Sequence, residues 1–173
     1  MMNRIDGQVC RLGHDTLPFQ VLPQLSSADS RDQSSAKGSL FGPTLKLKKG
    51  EIIVAGRNFG CGSNDQRSIE LLKAMDVPCV IAASFARRFY RDAINAGLPV
   101  IECPEAFEAI SSGEQIVVDF DRLEISCKRG IAPFQAYPDV ISKILSSGGL
   151  IPSAGTFRRP RAFIIGLRSR FDA

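Results

Sequence analysis

The stretch EIIVAGRNFGCGSNDQRSIELLKAM, residues 51–75, decides the fold of this chain. Its apolar start predicts a buried strand at 51–55, and apolar residues at helical spacing predict a helix over 64–75. Between the two lies a turn rich in glycine, the residue that tolerates left-handed backbone and close approach of another group. Its glycines are Gly56, Gly60 and Gly62.

Ser63 stands where the helix should begin, and Gln66 follows three residues later, which is the capping-box pattern. A helix start offers unpaired N–H groups and the positive end of the helix dipole, so it suits a carboxylate or a phosphate. The alternative is a capped helix after a tight turn, with no ligand. Nucleotide-binding patterns do not fit, because the turn lacks both Gly-Lys-Ser/Thr and the Gly-x-Gly-x-x-Gly spacing.

The rest of the chain predicts alternating strands and helices, which favours parallel strands with right-handed crossovers. Strands are predicted at 7–12, 79–83, from 100, 115–120 and 122–127, and further helices from a Ser84 cap to Gly97, at 104–110 and at 137–147. Phe85, Phe89 and Tyr90 are expected in the core because of their helical spacing. For the neighbouring arginines two interpretations stay open, a solvated face or contact with a partner subunit.

Composition sets the class of protein. The 173 residues are 44% hydrophobic and 23% charged, which is typical of one globular domain. No apolar run approaches the ~20 residues of a membrane span. The N-terminus lacks the apolar core of a signal peptide, so we expect a cytoplasmic protein.

Charge and cysteine usage exclude other classes. The net charge of +4 comes from residues 156–173, and the remainder holds 17 basic and 17 acidic residues, so no nucleic-acid partner is expected. The five cysteines are scattered singly and His14 is the lone histidine, so we expect no metal site built by this chain alone. Cys61, just before a helix start, is a candidate nucleophile, with turn packing as the alternative.

Two motifs at fixed separation carry a family resemblance. NFGCGS at 58–63, followed by VIAASFARRFYRDAINAGLPVI at 80–101, resembles the small subunit of 3-isopropylmalate dehydratase, the swivel domain of the aconitase superfamily. The run AYPDVI at 136–141, ending in GGLIP at 148–152, is similar to that family's C-terminal helix and its exit. The resemblance covers about residues 5–153.

The resemblance implies a fold and a domain division. We expect an α/β fold, a swivel-like β/β/α three-layer domain with a central, mostly parallel sheet. The domain would span 1–155, with a flexible loop at about 26–39 that in such subunits helps to select the substrate. Residues 156–173 would form a basic C-terminal extension.

The resemblance also implies an activity. Such subunits belong to hydro-lyases that isomerise a 2-hydroxy diacid by dehydration and rehydration, with a [4Fe-4S] cluster carried by a partner large subunit in a heterodimer or heterotetramer. Leucine biosynthesis, through 2-isopropylmalate, is the expected setting, with homoaconitate or dimethylmalate as alternative substrates. Ser63 matches the family's catalytic base. The expected substrate-binding residues are Gly60, Cys61, Gly62, Asn64 and Arg67.

Two departures from the family pattern favour a rival hypothesis. Asp65 stands where the family has an arginine that binds a substrate carboxylate. Arg67 lies two positions further on, about 200° around a helix, so it replaces that arginine only if this segment is not helical. Near the N-terminus, Asp15-Thr16 is followed by Leu17, and the family's Thr-Asp pair is missing. The alternative is a catalytically degraded paralogue acting as a binding or regulatory subunit.

Overall fold

The computed structural model describes residues 4–16, 47–62 and 66–156. The loop predicted at about 26–39 and the extension from 157 onward lie outside these ranges, so the predicted domain division stays a prediction. The elements are β1 (Arg4–Arg11), β2 (Ile52–Ala55), α1 (Gln66–Ala74), β3 (Val80–Ala82), α2 (Arg87–Asn95), β4 (Val100–Glu102), α3 (Pro104–Ala109), β5 (Gln115–Asp119), β6 (Glu124–Cys127), β7 (Gly130–Pro133), α4 (Asp139–Ser146) and α5 (Leu150–Thr156). None of the helices in these ranges is long and apolar enough to cross a bilayer.

The described strands form one mixed sheet in the order β4-β3-β2-β1-β5-β6-β7. The half from β4 to β1 is parallel, as the alternation of strands and helices predicts. The other half is antiparallel, because β5, β6 and β7 follow one another through tight turns. The sheet is therefore parallel in the half that carries the glycine-rich turn, and the predicted α/β class is confirmed.

The parallel half is buried on both faces, which gives the three layers. In β2, Ile53 and Ala55 face one core, where they pack with residues of α1 and α2. Ile52 and Val54 point the other way and pack with α3 and the antiparallel strands. This alternation follows from the two-residue period of a strand. Helices thus cover one face of the parallel half, and the antiparallel half with α3 covers the other.

One local expectation is corrected, and two elements were not predicted. The Ser84 hydroxyl does not cap α2; it accepts a hydrogen bond from the Asn58 N–H (2.9 Å), and the N-cap residue is Ala86. Strand β7 was not predicted, because its four residues begin with glycine and end with proline. Helix α5 was not predicted either, because Gly148-Gly149 and Pro152 indicate the end of a helix. Pro152 instead falls in the first turn of α5, where its missing N–H is not needed.

Helix α2 ends at a glycine that another chain segment touches. The Gly97 N–H donates to Ile94 O and the Leu98 N–H donates to Ala93 O, which is the Schellman pattern with Gly97 at φ +78°. A Cβ on Gly97 would overlap the carbonyl group of Gly148, after α4. The exit of α4 therefore packs directly on the backbone at the end of α2.

We predict that Gly97→Ala lowers the free energy of unfolding by about 3 kcal/mol, from left-handed strain plus overpacking. Gly50→Ala is the matched control, because Gly50 has φ +81° but a Cβ added there would meet no atom within 4 Å, and we expect about 1 kcal/mol for this variant. Urea titration measures both. Equal losses in the two variants would show that the close approach at Gly97 contributes nothing.

Candidate active site

The predicted site residues that the structure describes lie at the carboxyl edge of the parallel half-sheet, where such folds bind ligands. The segment after β1 runs beside residues 56–62, called here the glycine turn. Their main chains are joined by hydrogen bonds from the Gly56 N–H to Gly13 O (3.0 Å) and from the Gly60 N–H to Thr16 O (3.0 Å). The Phe59 N–H donates to Ser84 O (3.0 Å), which ties the turn to the segment after β3.

The backbone conformation of the glycine turn requires glycine or asparagine at several positions. Gly60 has φ +85°, Gly62 φ +70° and Asn58 φ +57°, all in the left-handed region. A Cβ on Gly60 would overlap the ring of Phe89, and one on Gly56 would lie 2.5 Å from His14 Nδ1. The turn is thus pressed against α2 on one side and against the end of β1 on the other.

Four polar side chains hold the shape of the glycine turn. The His14 Nδ1 accepts a hydrogen bond from the Arg57 N–H (2.9 Å), which leaves Nε2 as the protonated nitrogen when the ring is neutral. The Asn58 Nδ2 donates to Asp15 Oδ1 (2.9 Å), and the Asn58 N–H donates to Ser84 Oγ (2.9 Å). Sequence reasoning assigned no such role to His14, Asp15, Asn58 or Ser84.

A cluster of packed aromatic rings supports the glycine turn. Phe59 and Phe89 meet edge to face with ring centroids 5.1 Å apart, and Phe85 stacks on Phe89 at 6.1 Å. Phe59 and Phe89 are fully buried, Phe85 is nearly so and Tyr90 packs partly buried against the same core. The prediction that these aromatic residues belong to the core is confirmed.

The predicted site residues fall into two groups. Gly60, Cys61 and Gly62 lie together in the glycine turn, and Arg67 is exposed in the first turn of α1. Ser63, Asn64 and Asp65 lie outside the described ranges, so their predicted roles, and the capping box, stay predictions. Helix α1 begins at Gln66, so the positive end of its dipole lies at that residue, four positions after Gly62.

The cysteines differ in exposure. Burial raises the pKa of the Cys79 thiol to about 12, and burial together with Glu51 raises the pKa of Cys10 to about 11. Cys61 and Cys127 are partly exposed. Within the described ranges no group of three or more His, Cys, Asp or Glu side chains is placed to hold a metal ion.

A recess of about 420 Å³ opens beside the turn. Asp15, Arg57, Ala83 and Pro104 line it, and each follows one of the four parallel strands, β1 to β4. The carboxyl edge is therefore concave and polar.

The comparisons with known proteins agree with this geometry. The family model described as the Aconitase C-terminal domain matches residues 19–106, a span that contains the glycine turn. A crystal structure of 3-isopropylmalate dehydratase from Methanocaldococcus jannaschii aligns with a TM-score of 0.70 at 30% identity, over 88% of this chain and 93% of that one. Fold and site thus define an aconitase swivel-type domain.

Two relatives with known names identify the family more closely. The 3-isopropylmalate dehydratase small subunit of Moorella thermoacetica is 46% identical over 154 residues, 86% of this chain and 93% of its own. The 2,3-dimethylmalate dehydratase small subunit of Eubacterium barkeri is 47% identical over 108 residues, 61% of this chain and 66% of its own. This chain belongs to the family of 3-isopropylmalate dehydratase small subunits, as its two motifs predict.

We predict that Asn58→Gly costs about 1 kcal/mol of stability, because it keeps the left-handed backbone but removes the hydrogen bond to Asp15. Asn58→Ala should cost about 1–2 kcal/mol more, since alanine also strains at positive φ. Thermal and urea unfolding measure both. Equal stability of the two variants would contradict the backbone constraint proposed for this position.

Proposed function

We propose that this chain is the small subunit of a cytoplasmic hydro-lyase of leucine biosynthesis, which converts 2-isopropylmalate to 3-isopropylmalate by dehydration and rehydration. It would act with a large subunit that carries a [4Fe-4S] cluster. The observation that carries this proposal is the glycine turn at the carboxyl edge of the parallel strands, in a chain of this family.

The turn suits a dicarboxylic acid for electrostatic reasons. Gly62 is exposed and presents no side chain, so a carboxylate can approach the main chain there. Gly60 packs against Phe89 and donates its N–H to Thr16 O, so it shapes the turn. The positive end of α1, which begins at Gln66, favours an anion there. Arg67 is exposed in the first turn of α1 and adds a full positive charge at that end of the helix. Because it is helical, it does not take the position of the family's arginine.

Ser63 is the proposed base. Its alkoxide would take the proton from the carbon beside a substrate carboxylate and become the hydroxyl, while the hydroxyl on the neighbouring substrate carbon would leave as hydroxide. That proton and that hydroxide together make up the water lost in dehydration. Serine is a weak base in water, so its alkoxide needs support, and the N–H groups and dipole at the start of α1 supply it. The cluster of the large subunit, when bound, would act as a Lewis acid on the substrate hydroxyl and one carboxylate.

The first test is turnover of 2-isopropylmalate by the small subunit reconstituted with its large subunit. We predict that Ser63→Ala lowers kcat by about a thousandfold or more, because it removes the group that takes the proton. The control is Ser142→Ala, which changes an exposed serine on α4 and should leave kcat unchanged. Wild-type turnover that survives in Ser63→Ala would rule out this base.

A second test locates the substrate without relying on turnover. Cys61 lies in the glycine turn and Cys127 lies at the end of β6, and both are partly exposed. We predict that 2-isopropylmalate slows alkylation of Cys61 in the anaerobic complex severalfold and leaves Cys127 unaffected, as followed by peptide mass spectrometry. Unchanged alkylation of Cys61 at saturating diacid would place the substrate elsewhere.

Asp65 favours a second candidate function, a binding or regulatory subunit that keeps the fold and the partner surface. A carboxylate at this position repels a dicarboxylic substrate, and the family has arginine there. This candidate predicts a stable complex without turnover, in which Asp65→Arg restores measurable dehydration. Turnover by the wild-type complex would exclude it.

A further inference from the structure

The first turns of α2 form one wall of an open, charged groove of about 860 Å³. Arg87 and Arg91 are exposed there, one helical turn apart on the same side of the helix. Phe85 and Tyr90 give the groove an apolar floor, and two carboxylates, Asp92 and Glu102, line it as well. We call this feature the arginine groove.

The charges of the arginine groove oppose the stability of α2. Its first turn contains Arg87 and Arg88 and no acid, although the positive end of a helix favours acids. Like charges four residues apart, as in Arg87 and Arg91, also repel each other. Arg88 pairs with Asp92 (3.8 Å), but among residues 4–16, 47–62 and 66–156 no carboxylate forms an ion pair with Arg87 or Arg91. An unfavourable arrangement of this kind is characteristic of a binding surface.

The groove adjoins the candidate active site. The Ala86 N–H, directly before α2, donates to Phe59 O in the glycine turn (2.9 Å). Phe59 and Phe85 also pair as neighbouring extended residues, with ring centroids 6.2 Å apart. A partner that reaches a substrate at the glycine turn must therefore come close to the first turn of α2.

We propose that the arginine groove docks an acidic segment of the large subunit. This inference rests on the proposed function, because that function requires a partner to cover the carboxyl edge of the sheet. Carboxylates of the partner would satisfy Arg87 and Arg91 and remove the repulsion within α2. The aromatic floor beneath them would exclude water and strengthen each ion pair.

The test compares two double variants in binding to the purified large subunit by isothermal titration calorimetry. Arg87→Gln with Arg91→Gln should raise Kd by about tenfold at low salt and flatten its salt dependence. The control, Lys48→Gln with Lys143→Gln, removes the same charge from exposed residues before β2 and on α4, and should change Kd less than twofold. Without the large subunit, the double variant of Arg87 and Arg91 should melt at the same temperature as the wild-type small subunit or higher, because it loses the repulsion between the two arginines in α2.

A Kd equal to that of the wild type would overturn the proposal, because it would show that the partner does not contact the groove. If KM for 2-isopropylmalate also rises in that variant, the groove belongs to the substrate instead. Failure of the proposed function is a separate result, since it appears as a wild-type complex that binds with normal affinity but does not turn over.

Discussion

The contact between Gly60 and the ring of Phe89 is the constraint on which the site depends. Gly60 is left-handed and lies so close to Phe89 that no side chain fits between them. This contact brings the turn after β2 down onto the first turns of α2. The N-terminus of α1, the glycine turn and the arginines of α2 consequently share one edge of the sheet.

That edge is assembled from segments far apart in the sequence. Parallel pairing of β1 with β2 sets His14 and Asp15 beside the turn, and pairing of β2 with β3 brings Ser84 to Asn58. Each of these polar groups bonds main chain or a turn residue. Their role is thus to position the glycine turn.

Much of the fold could be predicted from local pattern. Short runs rich in Val and Ile predicted the parallel strands, and the glycine-rich segment predicted the turn with left-handed backbone that follows β2, because both signals lie within a few residues. Serine is a common N-cap residue, yet the Ser84 hydroxyl instead accepts a hydrogen bond from the Asn58 N–H, 26 residues away in the sequence. Gly148-Gly149 does end α4, but the proline that follows is equally compatible with the first turn of α5.

The supporting role of His14 could not be predicted, because it depends on the register between β1 and β2. The arginines at the start of α2, which destabilise that helix, were visible in the sequence. The sequence left a solvated face and a partner contact open for these arginines, and the proposed partner contact rests on the contacts of Ala86 and Phe85 with the glycine turn. A surface helix with the same residues elsewhere on the protein would carry no such implication.

The structure of the assembled complex with bound 2-isopropylmalate tests the central claim most directly. The account predicts one substrate carboxylate in contact with backbone N–H groups between Gly62 and the first turn of α1, because the N–H groups of residues 56–61 already donate within the protein. It also predicts that the Ser63 Oγ lies within about 3 Å of the substrate carbon that loses its proton. A diacid bound away from the turn, with Ser63 packed out of reach of any substrate atom, would contradict it.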